Sequence, residues 1–248
     1  TWRFDPGDDF SMTVSVSGLW GESAVTSPDW YDASNPYPDY YRYMPGFYAD
    51  PAVSEAVREA WRAGDGRYTQ IDWNEWLRTN DPDAAARYVM GSSVDRFRHF
   101  QAVAFFSYRI APRTRLSGGV RGRIQQTRRF RRLEDLLGAA CLIDIDPYLS
   151  GDPEFGDRAD NDALHPGRRV GEGESYGYRY DLRLRRYEGW TTLSSGSRNG
   201  RWSGYAGLRG VRTVFFRQGY YEKALFPGER SLGRSPDVRF VDYRLSAG

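Results

Sequence analysis

Residues 115–127, Arg-Leu-Ser-Gly-Gly-Val-Arg-Gly-Arg-Ile-Gln-Gln-Thr, alternate between two kinds of side chain. One set is Leu116, Gly118, Val120, Gly122 and Ile124; the other is Arg115, Ser117, Gly119, Arg121, Arg123, Gln125 and Thr127. A period of two with faces this distinct is a β-strand with one apolar and one polar side. The same rhythm recurs outward from this stretch. Phe10, Met12, Val14, Val16, Gly18 and Trp20 alternate with serines and a threonine, and Val241, Tyr243, Leu245 and Ala247 alternate with Asp242, Arg244 and Ser246. Residues 174–197 show it as Tyr176, Tyr178, Tyr180, Leu182 and Leu184 against Gly177, Arg179, Asp181, Arg183 and Arg185, with a slip expected near Arg186 to Gly189. With 97–110 and 201–217, which alternate less cleanly, about six strands are expected and the fold class is all-β.

The connections differ greatly in length. Ala111-Pro112-Arg113 and Arg198-Asn199-Gly200 are tight turns, the second carrying the Asn-Gly pair favoured in hairpins. The other connections run about 21–96, 128–173 and 218–237. Short and long alternate, so an antiparallel up-and-down sheet would carry every short turn on one rim and every long loop on the other. Outer-membrane barrels have this asymmetry. The first long loop should hold helices. Asp50 and Pro51 are a cap and first-turn pair, with an apolar stripe from Val53 to Trp61 before Gly64. Asp72 can start a second helix bearing Trp73, Trp76 and Leu77, and Asp81-Pro82 a third ending near Tyr88. A further short helix is expected through Leu133, Leu136 and Leu137.

Composition narrows the choices. The chain has 248 residues, a net charge of +2, 27% charged and 40% apolar residues, which fits a folded protein and gives no sign of a nucleic-acid binder. Mean hydropathy is −0.71, and no apolar run approaches the roughly 18 residues of a spanning helix. Strands that face lipid on one side only average out to a hydrophilic sequence, so a membrane barrel remains open. Lys223 is the one lysine among 35 basic residues, for which codon bias is the simplest account, and Cys141 is the one cysteine. An internal disulfide or a multi-cysteine metal site is therefore excluded. Period two also suits a soluble β-sandwich. Long strands, one-sided loops and tyrosines near strand ends, as in an aromatic girdle, favour the barrel.

Several segments carry a resemblance. Trp30-Tyr31-Asp32-Ala33-Ser34-Asn35-Pro36-Tyr37-Pro38-Asp39-Tyr40-Tyr41-Arg42-Tyr43-Met44-Pro45 resembles the W-Y-x-A-x-x-P-x-P-D-Y-Y-R-x-L-P stretch of TonB-dependent outer-membrane receptors of the Bacteroidetes type. Gln70-Ile71-Asp72-Trp73-Asn74 is similar to their Q-I-D-W element. Glu134-Asp135-Leu136-Leu137-Gly138, followed by Ile143-Asp144-Ile145-Asp146, is similar to their E-D-L-L-G and L-D-V-D pair. Asn161-Asp162, Pro166 to Val170 and Gly177 to Tyr180 resemble the approach to the next strand. Met44 replaces the usual Leu, and Ala139 to Leu142 replaces a more polar, aromatic stretch. The resemblance implies a piece of a transmembrane β-barrel in the cell outer membrane, with an arginine- and serine-lined lumen and long, partly helical extracellular loops. The implied partners are outer-membrane lipid, the rest of the barrel and its plug, TonB reached through an N-terminal region outside these residues, and a scarce small solute to be imported. No plug segment is expected within 1–248, and no cofactor, catalytic site or nucleic-acid partner is implied.

The residues that could hold a solute by stacking and hydrogen bonding are Trp30, Tyr31, Asn35, Tyr40, Tyr41, Arg42, Trp73 and Trp76. The same aromatics could instead be the small core of a large folded loop. The acids from Asp144 to Asp162 lack the spacing of a calcium loop and read more simply as solvated. Arg128 to Arg132 could meet lipid phosphates or an anionic ligand, or be a solvated strand end. His99 and His165 have no partner at catalytic or metal-ligand spacing. The other architectures in view are a secreted all-β glycan-binding module and a hydrolase on a β-sandwich. In a barrel segment Leu116, Val120 and Ile124 would lie on a convex, solvent-facing or lipid-facing surface, with Arg121 and Arg123 on the concave side; in a sandwich the three would be buried against a second sheet.

Overall fold

A computed structural model describes residues 1–248. One large antiparallel sheet dominates it, with strands β1 (Trp2–Gly7), β2 (Phe10–Trp30), β3 (Tyr88–Ala111), β4 (Thr114–Asp135), β7 (Ser175–Gly196), β8 (Ser203–Gly219) and β10 (Val238–Ala247) side by side in chain order. The short β9 (Gly233–Arg234) pairs with β8, and β5 (Leu142–Ile143) pairs with β6 (Arg169–Val170) in a two-stranded ribbon. The path has seven strands where six were expected, because β1 adds a hairpin through Asp8-Asp9. The remaining strands reach further than their clean alternation. β2 runs to Trp30 and β3 begins at Tyr88, so the first long loop is 31–87, while the others are 136–174 and 220–237.

The expected alternation of connections holds. The turns at 8–9, 112–113 and 197–202 share one rim, and the three long loops share the other. It holds because Ser175–Gly196 is one strand. The slip in β7 is not at Arg186 to Gly189, where pairing with both neighbours is continuous; Gly177 and Tyr178 bulge out between Tyr176, opposite Arg131, and Arg179, opposite Phe130. Gly177 has φ +71°, a left-handed conformation that glycine adopts without a Cβ clash.

Helix α1 (Pro51–Ala63) forms as expected, with Asp50 accepting from the Ala52 N–H at 2.8 Å and Gly64 closing it at φ +69°. Two further short helices follow, α2 (Gly66–Thr69) and α3 (Trp73–Thr79), the latter capped by Asp72 accepting from Glu75 N–H. The two other expected helices are absent. Residues 82–83 make only a turn, and Leu133 lies in β4, after which Leu137 at φ +50° and Gly138 at φ +89° turn the chain away.

Directly opposed residues share a face of the sheet, so register sorts the side chains. Val120 lies opposite Ala104 and Gly189, in a row that runs from Trp2 and Val14 to Gly210 and Tyr243. On this first face the rows through Leu116, Gly118 and Val120 contain no charged side chain, and the row through Gly122 contains only Arg212. No second sheet covers it: Val120 is 62% exposed, Tyr243 83% and Leu245 74%. Leu116 is half-buried and Ile124 exposed, while Arg121 and Arg123 lie on the second face; within this chain no second sheet buries the three aliphatics. Aromatics flank the band, Phe10 and Tyr108 toward the short turns and Phe100 and Trp20 toward the long loops. They are not a tyrosine girdle, since Tyr187 and Tyr243 sit inside the band.

Beyond Ile124 the faces exchange character. The first face becomes arginine-rich through Arg185, Arg98, Arg183, Arg96 and Arg128, while the second turns apolar through Leu184, Phe215, Leu182 and Phe97. The packed core is small and lies at the long-loop end. Tyr31, Ala86, Val89, Leu133, Leu142, Val170 and Tyr176 join the strand ends to the ribbon β5–β6.

Candidate functional site

The first long loop folds back over the strand ends and encloses a 250 Å³ pocket. Its walls are mainly aromatic, with Tyr37, Tyr43, Tyr48, Tyr68, Trp76 and Tyr88, and its polar edge comes from Asn35, Arg67, Gln70, Asp72 and Glu75. The backbone there is held by side chains. Asn35 accepts from Tyr37 N–H at 2.9 Å, and Tyr43 donates its hydroxyl to the Asn35 carbonyl at 3.0 Å. Asp72 and Asp65 are occupied in capping α3 and α2, and Asp65 also binds Arg67. Such a pocket can stack a planar or sugar ring and offer it a few hydrogen bonds.

The eight residues singled out from sequence divide. Asn35 and Trp76 line the pocket. Trp76 is buried and stacked on Tyr88 with centroids 5.1 Å apart and planes at 6°, so it is as much core as wall. Trp30 packs against that same small core and meets Tyr37 edge to face at 5.8 Å. Tyr31 belongs to the other core cluster, and burial pushes its phenol pKa upward. Tyr40, Tyr41 and Arg42 form a separate outward cluster, with Tyr41 exposed, its hydroxyl accepting from Arg42 at 2.9 Å and the guanidinium over its ring. Trp73 is 48% exposed, with its ring centroid 4.6 Å from that of Trp76.

Asn80 was missed. It is buried at the end of α3, donates to the Tyr88 and Leu136 carbonyls at 2.8 and 2.9 Å, and accepts from the Arg87 and Tyr88 N–H groups. One amide thus ties the first loop to the second. An asparagine between a helix and a turn carries no sequence signal for this, because its partners are backbone atoms from distant positions.

The second and third long loops meet in a buried polar knot. Asp144 accepts from Gly177 N–H at 2.8 Å, Asn161 at 3.0 Å and Arg168 at 3.3 Å. Lys223 donates to Asn161 and to the Gly177 carbonyl. Burial raises the Asp144 pKa and lowers that of Lys223. The other acids here bracket turns: Asp146 accepts from Tyr148 N–H, Asp152 from Glu154 N–H, Asp160 from Gly167 N–H and Asp162 from Leu164 and Glu222 N–H. His165 pairs with Asp162 at 2.8 Å, a local contact on an exposed turn. His99 lies on the second face of β3, beside Phe97.

On the second face of the sheet, Glu188 is nearly covered by Arg209 at 2.8 Å and by Arg121 and Arg186 at 4.0 Å. The serines Ser11, Ser107 and Ser117 share one row there. Family models, curated proteins and solved structures contain no match to this chain, so its function has to be read from this geometry.

Proposed function

We propose that this chain is part of the wall and mouth of an outer-membrane β-barrel importer of the TonB-dependent receptor kind. The observation that supports this is the uncovered apolar band, backed by a Ser, Thr and Arg face and bounded on one rim only by long loops. In water so broad an apolar surface would be an aggregation liability, whereas against lipid it is buried. Leu116 to Ile124 is nine residues, within the roughly 9–11 that a tilted spanning strand needs. The 24 residues of β3 exceed that, so the arginine-rich upper parts of the strands stand in the outer aqueous layer. The second face of the band suits a polar interior.

Two edges bear on the rest of the receptor. β2 beyond Val14 has a partner only in β3, and the outer side of β10 is unpaired. Lipid tolerates no open strand edge, so in this reading further barrel strands flank both, with a plug inside and TonB acting through it. A small solute would be held among the aromatics of the first loop.

Fractionation tests the reading. The protein should sediment with outer membranes and leave them only in detergent. A monomer that stays dispersed in buffer without detergent would sink it. A secreted glycan-binding module, favoured only by the aromatic pocket beside exposed Trp73, would give that second result.

A further inference from the structure

Where the apolar band ends, the same face of the sheet opens into a cavity of 440 Å³ lined by Arg96, Arg128, Arg132, Arg168, Arg179 and Phe130, with Gly173 to Ser175 above them. It continues toward the band as a 90 Å³ recess between Arg96, Arg98, Gln126 and Arg128. Acids do pair with these arginines. Glu22 bridges Arg96 and Arg132, Glu134 takes Arg132, Asp181 takes Arg128 and Asp144 takes Arg168. None of those four carboxylates lines the cavity, where Glu174 is the only acid. Arg98 and Arg179 make no ion pair, and Arg179 is held over the Tyr220 ring at 5.2 Å, which leaves its donors free. Planar guanidinium groups converging from several strands, with unused N–H donors, match the oxygens of a phosphate.

Trp20 stands in the same row as Arg98 and Gln126, the next row down holds Phe100 and Ile124, and about six residues below the recess, about 20 Å along the strands, lies a 460 Å³ apolar trough. It runs over Gly189 and Gly210 between Met12, Phe106, Val120 and Leu208. Cationic cavity and apolar trough therefore share one surface in the order of a headgroup and its chains. We propose that this surface binds a phosphorylated lipid, its phosphate among Arg96, Arg98, Arg128 and Arg179 and its acyl chains along the band. This rests on the membrane-wall reading above.

The test uses detergent-purified, delipidated protein and native mass spectrometry with three probes: dioleoylphosphatidic acid, dioleoylglycerol and inorganic phosphate. Phosphatidic acid should be retained at least tenfold more tightly than dioleoylglycerol, and inorganic phosphate should not displace it at equal concentration. The double variant Arg98→Gln/Arg179→Gln breaks no ion pair and should weaken phosphatidic acid binding at least fivefold with an unchanged unfolding midpoint. Arg62→Gln/Arg78→Gln, with the same charge change on exposed helices, should not. Equal retention of the two lipids, or equal weakening by both double variants, would overturn the proposal, and displacement by inorganic phosphate would reassign the cavity to a free anion. A protein that needs no detergent would overturn the membrane reading itself, a result separate from failure to select phosphate inside a micelle.

Discussion

Tyr176 shows how a side chain on the polar-aromatic alternation of β7 becomes structural. It is buried, its hydroxyl donates to Asp29 at 2.5 Å, and the same carboxylate pairs with Arg131 at 2.7 Å. Tyr176→Phe keeps the ring but removes one donor from a partly buried carboxylate, which should lower stability by about 1–2 kcal/mol, seen as an earlier unfolding midpoint. Asp144 gives a pH signature. Its folded pKa lies above the ordinary 3.8 because burial disfavours the charge, against the pull of Gly177 N–H, Asn161, Arg168 and Lys223. A raised acid binds its proton more tightly folded than unfolded, so its contribution is best below 3.8 and declines as pH climbs through the raised value. Asp144→Asn cannot titrate. Unfolding measured from pH 3.5 to 7 should show the stability difference moving in the variant's favour as pH rises; parallel curves would refute this. At this scale capping was readable: Asp50, Gly64 and Asp72 act through neighbours in the chain. The solute candidates were readable only as a group, since whether Tyr31 or Trp73 faces core or water depends on strands far away in sequence.

Elements were legible where a pattern is local and strict. The clean halves of β2, β4 and β10 follow from alternation, but the extensions of β2 to Trp30 and of β4 to Asp135 do not, because there the two faces exchange polarity and neither set stays apolar. The same exchange hid the bulge at Gly177: Tyr178 lies within it, while Leu182 and Leu184 sit on the face opposite the apolar band. The stretch around Leu136 failed differently. Its leucines have helical spacing, yet Leu133 stays in β4 as a core residue and the left-handed pair Leu137-Gly138 ends any helix. Loop docking depends on Asn80. Asn80→Ala removes the side-chain acceptor of two backbone N–H groups and the donor to the Tyr88, Leu136 and Leu137 carbonyls in a buried site, of which Leu136 keeps Ala139 N–H, a loss of about 3 kcal/mol. Limited proteolysis should then cut faster within 31–87 than within the strands, and an unchanged pattern would show that the aromatic stack of Trp76 on Tyr88 holds the loop alone.

At the scale of the molecule, the all-β class, the up-and-down order and the one-sided loops follow from strand patterns and connection lengths, which are properties of the chain itself. The pocket, the arginine cavity and the polar knot do not, because each is assembled from three or more distant segments. In the proposed reading the face of Leu116, Val120 and Ile124 meets lipid while that of Ser117, Arg121 and Arg123 does not. Single cysteines can be placed at 116, 117, 120, 121, 122, 123, 124 and 125 in a Cys141→Ala background, avoiding Gly118 and Gly119, where a Cβ would meet neighbouring backbone oxygens. With spin labels on these thiols in reconstituted vesicles, collisions with oxygen are expected at 116, 120, 122 and 124 and with a water-soluble nickel chelate at 117, 121, 123 and 125. Nickel access at Val120 and Ile124 equal to that at Arg121 and Arg123 would contradict it.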